Sequence, residues 1–168
     1  LAGDAETRML EGVCERLGRM GILLKRVLIG ADTLHPVLEG RIFEWHRDVQ
    51  DVKEVEYGRT VSTDTDNNWL RSPFHYLFTT GQTMIRRRLP QDPADDPIFP
   101  VLAELADNGS TDYVAYSNRL GGALVIGEMD VVFSSWTTDR PGGFSDSELA
   151  TLGCIVPAVA SSILGSAL

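Results

Sequence analysis

The chain has 168 residues, 43% of them hydrophobic and 23% charged, with a formal net charge of −9. That length suits one domain with its own core. The acidic balance argues against a nucleic-acid partner, because phosphate contacts need a basic surface. The longest apolar tract, near the C-terminus, contains Pro157 and three serines and does not read as a membrane span. The sequence as given does not open on a charged-then-apolar leader. Cys14 and Cys154 make no disulfide framework, so a reduced, cytoplasmic setting is expected. The sequence begins at Leu1 and stops inside an apolar helical pattern, and it reads as a piece of something longer.

The first 21 residues are predicted to be helical. Leu10, Val13, Leu17, Met20 and Leu24 recur at 3,4,3,4 spacing, which lines one side, and Gly21 can end the helix. "LLKRVLIGADTL" is β-branched and apolar enough for a buried strand, stopped by His35-Pro36. "GRIFEWHR" puts Phe43 and Trp45 on one face and Glu44 and His46 on the other. It is expected to run antiparallel to the first strand across a turn at 35–40, with Glu44 and His46 as a solvated pair. Residues 48–68 are polar, with "VKEVEYG" as a further strand. "STDTDNNW" looks like the start of a calcium loop, but no Gly follows and the twelfth position is His75 rather than Glu, so calcium is rejected.

Ser72 as N-cap, Pro73 at the first helical position and Gly81 past the end frame a short helix with Phe74, Leu77 and Phe78 on one face. "QTMIRRRLP" reads as a strand, "QDPADDP" as a loop and "FPVLAELADNG" as another short helix. Arg86-Arg87-Arg88, the only basic run, reads as strand residues facing water. Asn108-Gly109-Ser110 is better read as a turn than as a glycosylation acceptor. "STDYVAYSNRL" and "MDVVFSSWTTD" are strands joined by a long hairpin connection around 121–127. The last helix opens on a capping box, Ser145 and Glu148, with Phe144 as a staple. Leu149, Leu152, Val156, Val159 and Ile163 then repeat the 3,4,3,4 spacing, and Pro157 is expected to kink or split this helix. The sum is an α+β fold around one sheet.

No H-E-x-x-H, C-x-x-C, G-x-S-x-G or glycine-rich phosphate loop is present, so neither a catalytic residue nor a metal site is expected in this chain. Candidates for lining a ligand cavity are His35, Trp69, His75, Tyr113, Tyr116 and Trp136. Each has a plainer reading: the strand aromatics as core, His35 as a turn residue before Pro36, and His75 in a first helical turn, where the dipole disfavours a proton.

"TTGQTMIRRRLPQDPADDP" followed by "FPVLAELADNGSTDYVAYSNRL" resembles the middle of a GAF domain, and "VVFSSWTTDRPGGFSDSELATLGCIVPAVASSI" resembles its ending. The resemblance covers most of residues 1–165. It implies one GAF-like domain over 1–168: a central antiparallel sheet of five or six strands, flanked by N- and C-terminal helices and short connecting helices. A pocket would then lie over one sheet face, under the segments around residues 60–110. "GADTLHPVLEGRIFEWHR", "RSPFHYLF", "FPVLAELADNGSTDYVAY" and "SSWTTDRPGGFSD" are more narrowly similar to the N-terminal region of certain bacterial class III adenylate cyclases. That resemblance implies a sensory or regulatory domain controlling cyclic AMP synthesis from ATP by a downstream cyclase domain of the same chain.

Class III cyclases work as dimers, so a homodimer is implied too. Leu10, Val13 and Leu17 of the first helix, with Leu152, Val156, Val159 and Ile163 of the last, would form a bundle between two copies. A small-molecule effector fits this reading, and no cofactor is required. The alternatives are a haem or other cofactor-binding sensor and a dimerisation module without ligand. Departures from the family's known variants narrow the choice. No pocket cysteine is seen for bilin attachment or methionine-sulfoxide reduction, and the Asn-Lys pair of cyclic-nucleotide-binding GAF domains is missing.

Overall fold

A computed structural model describes residues 2–32, 41–49, 51–56, 70–120 and 130–166. In chain order these form α1 (Ala2–Arg19), β1 (Arg26–Asp32), β2 (Arg41–His46), β3 (Asp51–Glu56), α2 (Pro73–Thr80), β4 (Met84–Arg88), α3 (Pro100–Asp107), β5 (Asp112–Leu120), β6 (Asp130–Thr138) and α4 (Asp146–Ser166). The six strands make one antiparallel sheet in the order β3-β2-β1-β6-β5-β4. It is therefore two three-stranded meanders, β1–β3 and β4–β6, joined edge to edge at β1 and β6. The chain is of the α+β class, and the expected antiparallel pairing of β1 with β2 holds from Arg26↔His46 to Ala31↔Arg41.

Local chemistry sets the helix ends. The Ser72 side chain accepts the His75 backbone N–H at 3.1 Å, Pro73 occupies the first turn, and Gly81, at φ 74°, donates its N–H to the Leu77 carbonyl. At α4 the capping box is reciprocal: Glu148 N–H donates to Ser145 Oγ at 3.2 Å, and Ser145 N–H donates to Glu148 Oε1 at 2.8 Å. α4 runs through Pro157 as one helix, with the proline on its exposed side.

Strand alternation divides the core in two. Val27, Ile29, Phe43, Trp45, Val114, Val132 and Trp136 share one face with α1 and α4, which also pack on each other. Tyr113, Ala115 and Ile85 share the opposite face with Leu77 of α2 and Leu102 and Leu105 of α3. Among the stripe residues, Leu10, Leu17, Leu152, Val156, Val159 and Ile163 are buried in the first cluster and Val13 packs against it half-buried. Within a single chain the stripes are covered by its own sheet and by each other. Met20 falls outside the pattern at 64% exposure, because the helix ends at Arg19. Phe78 is also turned outward, 40% exposed, while Leu77 takes the buried position on α2.

The turn before α4 is tied to the sheet by Asp112, whose side chain is fully buried. Its Oδ2 accepts the Phe144 N–H at 2.9 Å and Arg86 Nη2 at 2.6 Å; its Oδ1 accepts the Tyr113 N–H at 3.0 Å. Gly143, at φ 80°, passes so close that a Cβ there would lie 2.4 Å from Asp112 Oδ2, so this position takes glycine alone. The basic run faces water only in part: Arg88 is exposed, as expected, whereas Arg86 and Arg87 are half-buried. Arg86 also donates to the Phe144 carbonyl, Arg87 to the Asp96 carbonyl and Arg88 to the Gly142 carbonyl. The three arginines fasten β4 to the loops on either side of it.

Candidate functional site

The face of the sheet under α2 and α3 carries a row of polar side chains that crosses five strands. Register places His46 opposite Arg26, Arg26 opposite Thr137, Thr137 opposite Tyr113, and Tyr113 opposite Arg87. One step along the strands, Glu44 and Ser135 lie in the neighbouring row, both opposite Leu28. Side chains on one face of a pleated sheet at these positions are direct neighbours.

The members of the row are bonded in separate groups. Arg26 Nε donates to Glu44 Oε1 at 3.0 Å, and His46 Nε2 lies 2.6 Å from the same oxygen. Burial by itself would raise the Glu44 carboxyl, yet the hydrogen bonds and charges of Arg26 and His46 hold it below the ordinary carboxylate range. Thr137 Oγ1 donates to the Arg26 carbonyl at 3.0 Å. Tyr113 shares a hydrogen bond with Ser135; its burial pushes the phenol well up, so it stays neutral. Arg87 stacks over Phe99 at 5.7 Å and reaches the loop after β4. Tyr113, Ser117, Ser135 and Thr137 are all buried, where an apolar side chain would cost less unless every group were paired. Phe74 of α2 stacks on Phe133 of β6 at 5.4 Å on this same face.

The sequence-derived candidates divide between the two faces. Tyr113 lies in the polar row, and His75 sits half-buried in the first turn of α2, the helix on that side. Trp136 and Tyr116 lie on the other face: Trp136 is fully buried against α1 and α4, with its indole N–H donating to Ser134 Oγ at 3.0 Å, and Tyr116 packs at the margin of the same cluster. These four residues therefore line no common cavity. His35 and Trp69 lie outside the described residues. Cys14 is buried in α1, where desolvation pushes its thiol up to about 12, while Cys154 is exposed on α4, and both are free thiols. Sequence reasoning passed over Arg26, Ser135, Thr137 and Arg87. The available signal was the hydroxyl-rich "SSWTT" in a strand that opens on Asp130, Val131, Val132 and Phe133.

Among the described residues, no group of three His, Cys, Asp or Glu side chains could hold a metal, and no helix is long and apolar enough to cross a membrane. The chain matches no family model, no curated protein and no solved structure.

Proposed function

We propose that the chain is a GAF-like sensory domain that regulates a class III adenylate cyclase domain downstream, working as a homodimer and reading a small effector over the sheet face under α2 and α3. The polar row is the observation that carries this reading. A face that only had to close a core would be apolar, whereas this one spends buried hydroxyls, a phenol and an ion pair on it. The pairing of terminal helices on one face with short helices on the other is what a GAF-like layout would have, and the cyclase assignment is supported by the four stretches quoted above. In this scheme α1 and α4 pass the effector's signal to the neighbouring domain through the packing of two copies. Since the apolar stripes are used within the chain, the pairing surface would be the outward side of α4, where Cys154, Pro157 and Ala158 are exposed.

Two measurements test it. Native mass spectrometry on the chain purified from its native cells should show a bound small molecule that Thr137→Val and Tyr113→Phe release. Light scattering at tens of micromolar should show a dimer that Ala158→Glu separates; Val159, a core residue, would be the wrong place for that charge. A ligand-free monomer that both sets of variants leave unchanged would end the reading. The Phe74–Phe133 stack favours a second reading, a dimerisation module whose cavity is closed; a ligand-free dimer would establish that one instead.

A further inference from the structure

α3 ends on Asn108-Gly109, and no other asparagine of the chain is followed by glycine. Such a pair can react with itself. The Gly109 nitrogen attacks Asn108 Cγ, the side-chain nitrogen leaves as ammonia, and a cyclic imide remains. Water then adds to either carbonyl of the ring and breaks its bond to the nitrogen. Opening at the former side-chain carbonyl gives aspartate. Opening at the former backbone carbonyl gives isoaspartate, whose main chain runs through Cβ and Cγ. Glycine favours the attack because it has no Cβ to hinder it.

The turn holds both residues in the wrong shape for that step. Asn108 N–H donates to the Glu104 carbonyl at 3.1 Å, Gly109 N–H to the Ala106 carbonyl at 3.0 Å and Ser110 N–H to the Leu105 carbonyl at 3.0 Å. These bonds close α3 around Gly109 at φ 94°, and they set the hydrogen of the attacking nitrogen on an acceptor. Asn108 sits at ψ 6°, so the Gly109 nitrogen lies alongside Asn108's own nitrogen. Ring closure needs it alongside Cβ, and the Cα–C bond must rotate to bring it there. Because the peptide is planar, that rotation swings N–H and C=O together. It takes the Gly109 N–H off Ala106, and it takes the Asn108 carbonyl off Lys25 Nζ, which donates to it from just before β1. Asn108 and Gly109 are both exposed, so water and base reach them once the turn opens.

We propose that Asn108 is a deamidation site gated by the fold: the closed end of α3 keeps it an asparagine, and each opening exposes it to conversion into aspartate and isoaspartate. Lys25 is the clasp, reaching across 83 positions of sequence to the carbonyl that must move. Conversion works against reclosure. Isoaspartate lengthens the main chain between Leu105 and Ser110, which the turn joins by a hydrogen bond, and either product adds a negative charge at a helix C-terminus, the end that disfavours it. The site is separate from the polar row and stands whether or not the domain is regulatory.

The test incubates the full 168-residue chain at mildly alkaline pH and follows residue 108 by peptide mapping, which separates asparagine, aspartate and isoaspartate. Conversion in the folded chain should be at least about tenfold slower than in the same chain unfolded in urea, since it must wait for an opening. Lys25→Met should speed conversion in the folded chain by about twofold to fivefold, the scale of one exposed charged contact. If that variant does not fold, the parent decides alone. Across urea concentrations below the unfolding transition, Gly109 amide exchange and loss of Asn108 should rise in proportion, because one opening governs both. Equal rates in the folded and unfolded chain overturn the proposal. A folded Lys25→Met chain that converts at the parent's rate overturns it too, as does a Gly109 amide that exchanges faster with no faster loss of Asn108.

Discussion

On the side of α1 and α4, Val27, Ile29, Phe43, Trp45, Val132 and Trp136 meet the helices in one apolar cluster. One residue further along the same strands, Arg26, Glu44, His46, Ser135 and Thr137 face the other way and bond to each other or to the backbone. The same backbone, with the same twist and pairing, thus carries a dry face and a wet one. The difference lies only in which residues take even and odd positions. On the dry face the fully buried carboxylate of Asp112 secures the turn that starts α4. On the wet face Arg26, Glu44 and His46 bond to one another, and Arg87 reaches the loop after β4. The apolar packing is concentrated on the first side and the hydrogen-bonded side chains on the second.

The sharpest way to break this comparison is to truncate each face at its largest aromatic. Trp136→Ala should cost about 3–5 kcal/mol, because a fully buried indole leaves a cavity that close-packed helices cannot fill. Urea unfolding gives the value, and a loss under about 1 kcal/mol would show that the dry face is not the main source of stability. Tyr113→Phe keeps the ring and removes one hydrogen bond, so its cost should be only about 1 kcal/mol. A variant more stable than the parent would sharpen the contrast, since the phenol would then be retained at the expense of the fold. The smallest effect concerns pH. The Glu44 carboxyl is held low in the folded chain, so the unfolded chain binds its proton first as pH falls. Its contribution is complete above the ordinary carboxylate range of the unfolded chain and is lost as pH drops through the lower, folded one. The acid limb of a stability–pH curve should therefore be shallower in Glu44→Gln than in the parent. Identical slopes would mean that Arg26 and His46 do not favour the charged form.

What the sequence made legible follows the range of the forces involved. Ser72, Pro73, Gly81, Ser145 and Glu148 act within four residues of themselves, and the helix ends they mark are where they were expected. Phe43 and Trp45 announced the inward face of β2 for the same reason. Pairing Tyr113, Tyr116 and Trp136 in one cavity failed because strand parity was not followed through. Residues three apart on a strand point to opposite faces, and relating β5 to β6 needs a register that no local signal supplies. The stripes of α1 and α4 were legible as apolar, but periodicity cannot say whether a sheet or a second helix covers them. Arg86 was misread for a related cause: its partner, Asp112, lies 26 residues away.

The seam between β1 and β6 has a consequence for how the chain reaches this structure. Each three-stranded meander is built from neighbours in sequence and can form early, but Thr137 and Arg26, bonded across the seam, are 111 residues apart. Closing so long a loop is slow compared with forming a hairpin. During synthesis from the N-terminus, β1 must wait, with one edge unpaired, until β6 has been made more than a hundred residues later. The interval before β6 arrives is when this protein is most open to pairing with another copy of itself, and a substitution that weakens the seam would show first as a lower yield of folded chain rather than as a lower melting temperature.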